Sequence, residues 1–173
     1  MNNITLIGMP GSGKTTIGVI LARMAGMRFL DSDRLIERTE GRKLFEISDA
    51  LGLEGFRAVE NRVNASIEAE NTVIAPGGSV IYGAEAMAHL RAIGQVVYLR
   101  LSYEAIEARL GDLHARGVSI APGQTLRDLY NERCPLYEKY AHHSIDCDGL
   151  RPREIAFSVI EALGMVLPGE TRA

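Results

Sequence analysis

The sequence predicts one α/β domain, in which five parallel strands form a central sheet with helices on both faces. Two observations support this three-layer arrangement. Short apolar runs alternate with segments of helical periodicity along the chain, and parallel strands need helical crossovers of this kind. A glycine-rich loop also separates the first apolar run from the first helix, and that order is typical of phosphate-binding α/β proteins.

Short, uninterrupted apolar runs predict the five strands, because strands covered on both faces carry few polar residues. Each run is bounded by glycine, proline or polar residues that indicate turns. The predicted strands span residues 3–9, 27–31, 71–75, 95–101 and 143–148.

Between the runs, apolar residues recur at the spacing of amphipathic helices. End signals support several of them, including Gly26 after the first helix, Ser102 at the start of the helix that follows the fourth strand, and Pro152 at the start of the last helix. Pro135 predicts a kink or local break. The helical segments span residues 14–26, 33–41, 83–94, 102–111, 124–141 and 152–164, and residues 43–70 are expected to hold two helices separated near Gly52 and Gly55.

Residues 111–123 carry little apolar periodicity and contain Gly111, Gly117, Pro122 and Gly123. This composition predicts a loop. We expect residues 1–173 to form a single domain with a mobile loop at about 111–123.

Composition and charge exclude several classes of protein. The chain has 173 residues and a formal net charge of −3, whereas general nucleic-acid-binding domains are basic. It has no apolar run long enough to cross a bilayer, and its N-terminus lacks the features of a secretory signal. Cys134 and Cys147 are too few for a disulfide framework and indicate reduced thiols. We therefore expect a cytoplasmic monomer whose partners are small molecules, without nucleic-acid or membrane binding.

Residues 8–15 read Gly-Met-Pro-Gly-Ser-Gly-Lys-Thr and match the phosphate-binding signature G-x-x-x-x-G-K-[ST] in full. Glycines let main-chain N–H groups surround a phosphate, and the helix N-terminus adds partial positive charge. The dinucleotide signature G-x-G-x-x-G does not fit, because a threonine stands where its third glycine belongs. We expect Lys14 to reach the β- and γ-phosphates and Thr15 to bind Mg²⁺. The predicted nucleotide contacts are Gly11, Ser12, Gly13, Lys14, Thr15 and Thr16.

Asp31 and Asp33 end the second predicted strand, at the sheet edge where α/β proteins collect ligands. Beside a phosphate loop, one carboxylate can lie near the metal and the other can bind a substrate hydroxyl. The alternative is a structural role, in which Asp31 or Ser32 caps the following helix.

Gly77 and Gly78 follow the third predicted strand at the same edge. They fit either a turn or the close approach of a ligand to the main chain. Four arginines lie far apart in sequence, and each alone is most simply a solvated surface charge: Arg57, Arg109, Arg116 and Arg133.

Taken together, these segments resemble the shikimate kinase family. The resemblance extends from Asn3 to Leu163 and is carried by GMPGSGKTT, FLDSD, GFRAVE, PGGS and ERCPLYEKYA. It implies a fold of the P-loop kinase type, similar to nucleoside monophosphate kinases. It also implies transfer of the γ-phosphate of ATP to the 3-hydroxyl of shikimate, with Mg²⁺.

The resemblance further implies roles for residues at the acceptor. Asp33 matches the aspartate that contacts the shikimate hydroxyls and takes the proton. Arg57 and Arg133 match the pair that grips the carboxylate. Gly77 and Gly78 match the first two glycines of a Gly-Gly-Gly loop, and the main chain of Gly78 contacts shikimate.

At the nucleotide, the resemblance places Asp31 near the magnesium ion, through water. The resemblance makes the loop at about 111–123 a mobile lid. Arg116 matches the lid arginine that closes over the phosphates and acts with Lys14 and Asp33 in catalysis. Arg109 matches a residue stacked on adenine, and Arg151 belongs to the loop on its other side.

Two positions depart from the family pattern. The lid reads Arg116-Gly117-Val118-Ser119 instead of Arg-Pro-Leu-Leu, and Ser79 replaces the third glycine. These departures leave a kinase for homoserine or another small hydroxy acid as an alternative. A non-catalytic nucleotide switch is a more distant one.

Overall fold

The structure is a computed structural model that describes residues 2–110, 118 and 120–169. Its described strands are β1 (Asn3–Ile7), β2 (Arg28–Asp31), β3 (Thr72–Ala75), β4 (Gly94–Arg100) and β5 (His143–Asp146). They form one parallel sheet in the order β2-β3-β1-β4-β5. The central strand β1 is buried along its whole length, as expected for a strand covered on both faces.

The helices fall into two groups around this sheet. The described α-helices are α1 (Lys14–Ala25), α2 (Ser32–Glu40), α3 (Leu44–Ala65), α4 (Ala84–Ile93), α5 (Tyr103–Leu110), α6 (Leu126–Tyr140) and α7 (Pro152–Ala162). Helix α1 packs against β2, β3 and α7, whereas α4 and α6 pack against β4, and α3 packs against α4. The prediction of a five-stranded parallel sheet between helices is confirmed.

The break expected in residues 43–70 occurs at Gly52. This residue has φ 68° and ψ −175° within α3, so two helical segments meet there at an angle. A left-handed φ is accessible to glycine at little cost, which explains the residue type. Gly55 continues the second segment.

A kink or a local break was predicted at Pro135. The break is wrong, because α6 continues through it from Leu126 to Tyr140, and the kink stays a prediction. Pro135 and Asn131, one turn earlier, are both exposed. Water can therefore solvate the carbonyl that the missing proline N–H leaves unbonded. A short 3₁₀ turn over Val80–Tyr82 also follows β3, where no element was predicted.

The core between the sheet and the helices is mainly aliphatic, with Leu6, Val73, Val96 and Met87 fully buried. None of the described helices is both long and apolar enough to span a membrane. The three loops that carry the predicted site follow β1, β2 and β3, so parallel pairing brings them to one edge of the sheet.

Candidate active site

The loop between β1 and α1 has the backbone that its glycines predict. Gly11 and Gly13 have φ 77° and 87°, in the left-handed region that favours glycine. Gly8 lies so close to β4 that a β-carbon there would be 2.9 Å from the carbonyl oxygen of Leu99. The turn is closed by the N–H of Ser12, which donates to the carbonyl of Met9 over 3.1 Å.

Lys14 extends back across this loop from the first turn of α1. Its Nζ donates to the carbonyl oxygens of Gly8 and Met9, each over 2.9 Å. Burial lowers the pKa of Lys14 to about 8, and the nearby negative charge of Asp33 partly opposes that change. The ammonium is thus partly dehydrated at the place where the loop would hold phosphate.

Asp33 and Glu60 form a second group of charges beside Gly77. A β-carbon on Gly77 would lie 3.1 Å from Asp33 Oδ1 and 3.0 Å from Glu60 Oε2. Burial raises the pKa of Asp33 to about 6, with a further contribution from Asp31. Burial likewise raises the pKa of Glu60 to about 7, although the hydroxyl of Ser79 donates to Glu60 Oε1 over 2.6 Å and opposes the rise.

Asp31 caps α2, as the structural alternative predicted. Its Oδ1 accepts the N–H groups of Asp33, over 3.0 Å, and Arg34, over 3.4 Å. Asp31 also borders a surface cleft that includes Thr15. Capping uses Oδ1, and Oδ2 lies 3.8 Å from Arg34 Nε.

Arg57 and Arg133 meet at one aromatic ring. The guanidinium carbon of Arg57 lies 3.7 Å from the centre of the Tyr82 ring, and that of Arg133 lies 5.4 Å from it. Arg133 is 1% exposed, and its Nε donates to the Tyr82 hydroxyl over 3.4 Å. The second arginine of the pair is therefore buried within the domain and is not a solvated surface charge.

One cavity of about 330 Å³ joins the phosphate loop, the two carboxylates and Arg133. Its volume is at the lower end of the size range of small-molecule sites. Its wall combines the phosphate loop, the paired carboxylates and the glycines after β3. Of the predicted site residues, it is lined by Gly11, Gly13, Lys14, Thr15, Thr16, Asp33, Gly77, Gly78 and Arg133.

The described predicted residues that do not line this cavity are Ser12, Asp31, Arg57, Arg109 and Arg151. Arg109 reaches the phosphate loop, where its Nη1 donates to the carbonyl of Gly11 over 3.3 Å. Arg151 caps α7, pairs with Glu154 at 3.3 Å and borders a separate cleft with Phe157. Arg116 lies outside the described residues, as does most of the predicted lid.

Three residues at this site were not predicted: Glu60, Ser79 as a partner of Glu60, and Tyr82. Glu60 could have been identified from the sequence. A carboxylate stands there on the apolar face of α3, one residue after Val59 and three before Val63. It is 2% exposed, and a buried acid with a raised pKa is typical of functional sites.

The arrangement places a phosphate-binding loop and an ionisable carboxylate in the same cavity, with buried arginine beside them. Phosphoryl transfer requires positioning and neutralisation of charge more than covalent participation by the protein. Loop N–H groups and Lys14 suit the donor, a carboxylate suits an acceptor hydroxyl, and planar guanidinium groups suit an acidic substituent.

Comparisons with known proteins agree with this geometry. The family model for shikimate kinase matches residues 10–164. A shikimate kinase from Thermodesulfovibrio yellowstonii is 36% identical over 174 residues, covering 99% of this chain and 100% of that protein. Shikimate kinase 1 of Escherichia coli is 38% identical over 165 residues, covering 93% and 95%.

Among solved structures, shikimate kinase from Acinetobacter baumannii in complex with shikimate superposes with a TM-score of 0.84. It is 35% identical, and the match covers 94% of this chain and 93% of that one. A match across nearly the whole of both chains, in sequence and in fold, shows that this chain belongs to the shikimate kinase family.

Proposed function

We propose that the protein transfers the γ-phosphate of ATP to the 3-hydroxyl of shikimate, giving shikimate 3-phosphate and ADP. The observation that carries the proposal is the single cavity in which the phosphate loop with Lys14 meets Asp33, Gly78 and buried Arg133. Membership of the family, and a relative solved with shikimate, support the choice of acceptor.

For the acceptor, we assign the hydroxyl contact and proton acceptance to Asp33. Its pKa of about 6 leaves it ionised at neutral pH yet more basic than an ordinary aspartate, which suits a general base. Arg57 and Arg133 would pair with the carboxylate through their planar groups. We assign a main-chain contact with the acceptor to Gly78, which lines the cavity. A side chain there would meet Pro10 at 2.9 Å and Arg133 Nη1 at 3.2 Å.

For ATP, we assign phosphate binding to residues 11–16 and stabilisation of the developing charge to Lys14. Arg109 is suitably placed for a contact near the loop, since it reaches Gly11. The roles of Arg116, as a catalytic lid arginine, and of Arg151, beside adenine, stay predictions.

The residues present fit a magnesium ion. Thr15 and Asp31 border one cleft and supply oxygen atoms, the ligand type that Mg²⁺ takes. The described residues hold no group of three or more His, Cys, Asp or Glu side chains that could enclose a metal, and Mg²⁺ in such enzymes relies on substrate phosphates for further ligands. When bound, the ion neutralises charge on the β- and γ-phosphates.

The single domain, the mobile lid and a cytoplasmic monomer also stay predictions. A lid over this cavity would exclude water, which could otherwise accept the phosphate. Val118, the described residue nearest Arg116 in the lid sequence, lines the cavity and is compatible with that arrangement.

A coupled assay of ADP release over a panel of acceptors tests the proposal. We expect turnover with shikimate and only background with homoserine or other small hydroxy acids, and we expect ATP to be preferred over GTP. Turnover with another acceptor, together with none on shikimate, would overturn the assignment.

A further inference from the structure

Tyr82 connects the two arginines that we assign to the acceptor carboxylate. The residue lies in the short turn after β3. The guanidinium carbon of Arg57 lies over its ring, 3.7 Å from the ring centre. Within the described part of the chain, Arg57 Nε is buried without a hydrogen-bond partner. The ring face is therefore a described contact that restrains the plane of this guanidinium, beside the charge interaction of Arg57 with Glu60.

The Tyr82 hydroxyl makes two further contacts. It accepts a hydrogen bond from Arg133 Nε over 3.4 Å and donates to Glu132 Oε1 over 2.9 Å. Burial raises the pKa of Tyr82 above its ordinary value of 10.0, so the hydroxyl keeps its proton at neutral pH. One side chain thus contacts Arg57 of α3 and two residues of α6.

Glu132 extends the connection toward the segment that precedes α6. Its Oε2 accepts from Gln124 Nε2 over 2.5 Å, and Gln124 Oε1 accepts the N–H of Ala121 over 3.3 Å. Ala121 belongs to the described end of the predicted lid. The chain of contacts therefore runs from Arg57 through Tyr82 and Glu132 to the base of that segment.

We propose that Tyr82 is a positioning residue that holds Arg57 in the orientation needed to bind the carboxylate of the acceptor, while its hydroxyl anchors the same ring to α6. This inference rests on the proposed function for the identity of the acceptor. It does not depend on that identity for the orientation of Arg57.

Two substitutions separate the two parts of the side chain. Tyr82→Phe keeps the ring face and removes the hydroxyl, whereas Tyr82→Leu removes both. The matched controls are Tyr103→Phe and Tyr103→Leu. The guanidinium carbon of Arg127 lies 3.6 Å from the centre of the Tyr103 ring, but Tyr103 has no assigned role. Tyr82→Met, with a flexible side chain that fills irregular space, replaces Tyr82→Leu should the latter not fold.

Steady-state kinetics with shikimate and ATP give the first readout. We expect Tyr82→Leu to raise the KM for shikimate about tenfold, with kcat and the KM for ATP within about twofold of wild type. Tyr82→Phe should raise the KM for shikimate less. An uncharged acceptor, with an amide in place of the carboxylate, should be used equally by wild type and Tyr82→Leu.

Nuclear magnetic resonance relaxation of the Arg57 Nε–H group gives a second readout that needs no acceptor. We expect this group to be rigid in wild type and Tyr82→Phe and mobile in Tyr82→Leu, with Arg57→Lys providing the assignment. An Arg57 signal that stays equally rigid in Tyr82→Leu, or an unchanged KM for shikimate, would overturn the inference. Absence of turnover by the wild type on shikimate would instead contradict the proposed function.

Discussion

The carboxylates of Asp33 and Glu60 converge on Gly77, where a β-carbon would lie 3.1 Å from Asp33 Oδ1 and 3.0 Å from Glu60 Oε2. Burial raises the pKa of Asp33 to about 6 and that of Glu60 to about 7. Both groups therefore titrate close to neutral pH, in the cavity that also holds Lys14. Their ionisation is expected to govern both the stability and the activity of the protein.

Glu60→Gln should stabilise the fold at alkaline pH. In the folded chain Glu60 has a pKa of about 7, against an ordinary value of 4.5. The folded state therefore binds more protons than the unfolded state between these two pH values. The contribution of Glu60 to stability therefore falls as the pH rises from 4.5 to 7. We expect the variant to gain about 1–3 kcal/mol in free energy of unfolding near pH 8, and less near pH 4.

Urea denaturation at the two pH values measures this difference. Glu161→Gln, an exposed change on α7, is the control and should show no pH-dependent gain. A Glu60→Gln variant that is less stable than wild type near pH 8 would contradict the expectation.

The pH dependence of kcat/KM for shikimate should be bell-shaped. Asp33 must be ionised to accept the proton, so activity should fall as the pH drops through about 6. Lys14 must be charged to stabilise the transferring phosphoryl group, so activity should fall above about 8. Stopped assays across this range measure both limbs.

The acidic limb has a specific control. Because the charge of Asp31 contributes to the raised pKa of Asp33, Asp31→Asn should move that limb to lower pH. Asp49→Asn, an exposed change on α3, should leave it in place. An acidic limb that does not move in Asp31→Asn would indicate that a group other than Asp33 titrates.

Arg57→Ala should weaken binding of the acceptor with little effect on ATP. Loss of one partner of a dehydrated charge pair costs about 2–4 kcal/mol, equivalent to a rise of roughly 30- to 1,000-fold in the KM for shikimate. Arg62→Ala is the matched control on the same helix, because Arg62 pairs with Glu40 at the surface. Equal KM values for shikimate in Arg57→Ala and Arg62→Ala would remove Arg57 from the site.

Gly11→Ala should destabilise the phosphate loop through backbone strain and through a steric contact, and a control variant separates these two effects. Gly11 has φ 77°, and a β-carbon there would lie 3.0 Å from Leu110 Cδ2. Gly164 has φ 60° with no atom within 4 Å of such a carbon, so Gly164→Ala reports backbone strain alone, about 1 kcal/mol. We expect Gly11→Ala to lower the melting temperature further than Gly164→Ala and to weaken ATP binding measured by calorimetry; equal effects would mean that contact with Leu110 is unimportant.

The parts of the site that are contiguous in sequence could be predicted from it. The phosphate loop is one signature, in which Gly11 and Gly13 need left-handed backbone and Lys14 follows at fixed spacing. Asp31 and Asp33 were expected at the sheet edge because parallel strands place their carboxyl ends together. Local sequence is enough here, since each signal and its structural consequence lie within a few residues.

The parts that depend on tertiary packing could not be predicted. The Tyr82 ring contacts the Arg57 guanidinium only because the turn after β3 packs between α3 and α6. Ser79 is paired with Glu60 across 19 residues, although its sequence position indicated only a replaced glycine. The resemblance placed Arg151 beside adenine, yet the described contact of its guanidinium is an ion pair with Glu154, which only the structure could show.

A crystal structure with ADP and shikimate tests the central claim most directly, because that claim is one cavity shared by the phosphate donor and an acidic acceptor. We expect the shikimate carboxylate to meet Arg57 and Arg133, and its 3-hydroxyl to lie within hydrogen-bond distance of Asp33 and face the β-phosphate of ADP. Shikimate bound elsewhere, or bound with its carboxylate away from both arginines, would contradict the account.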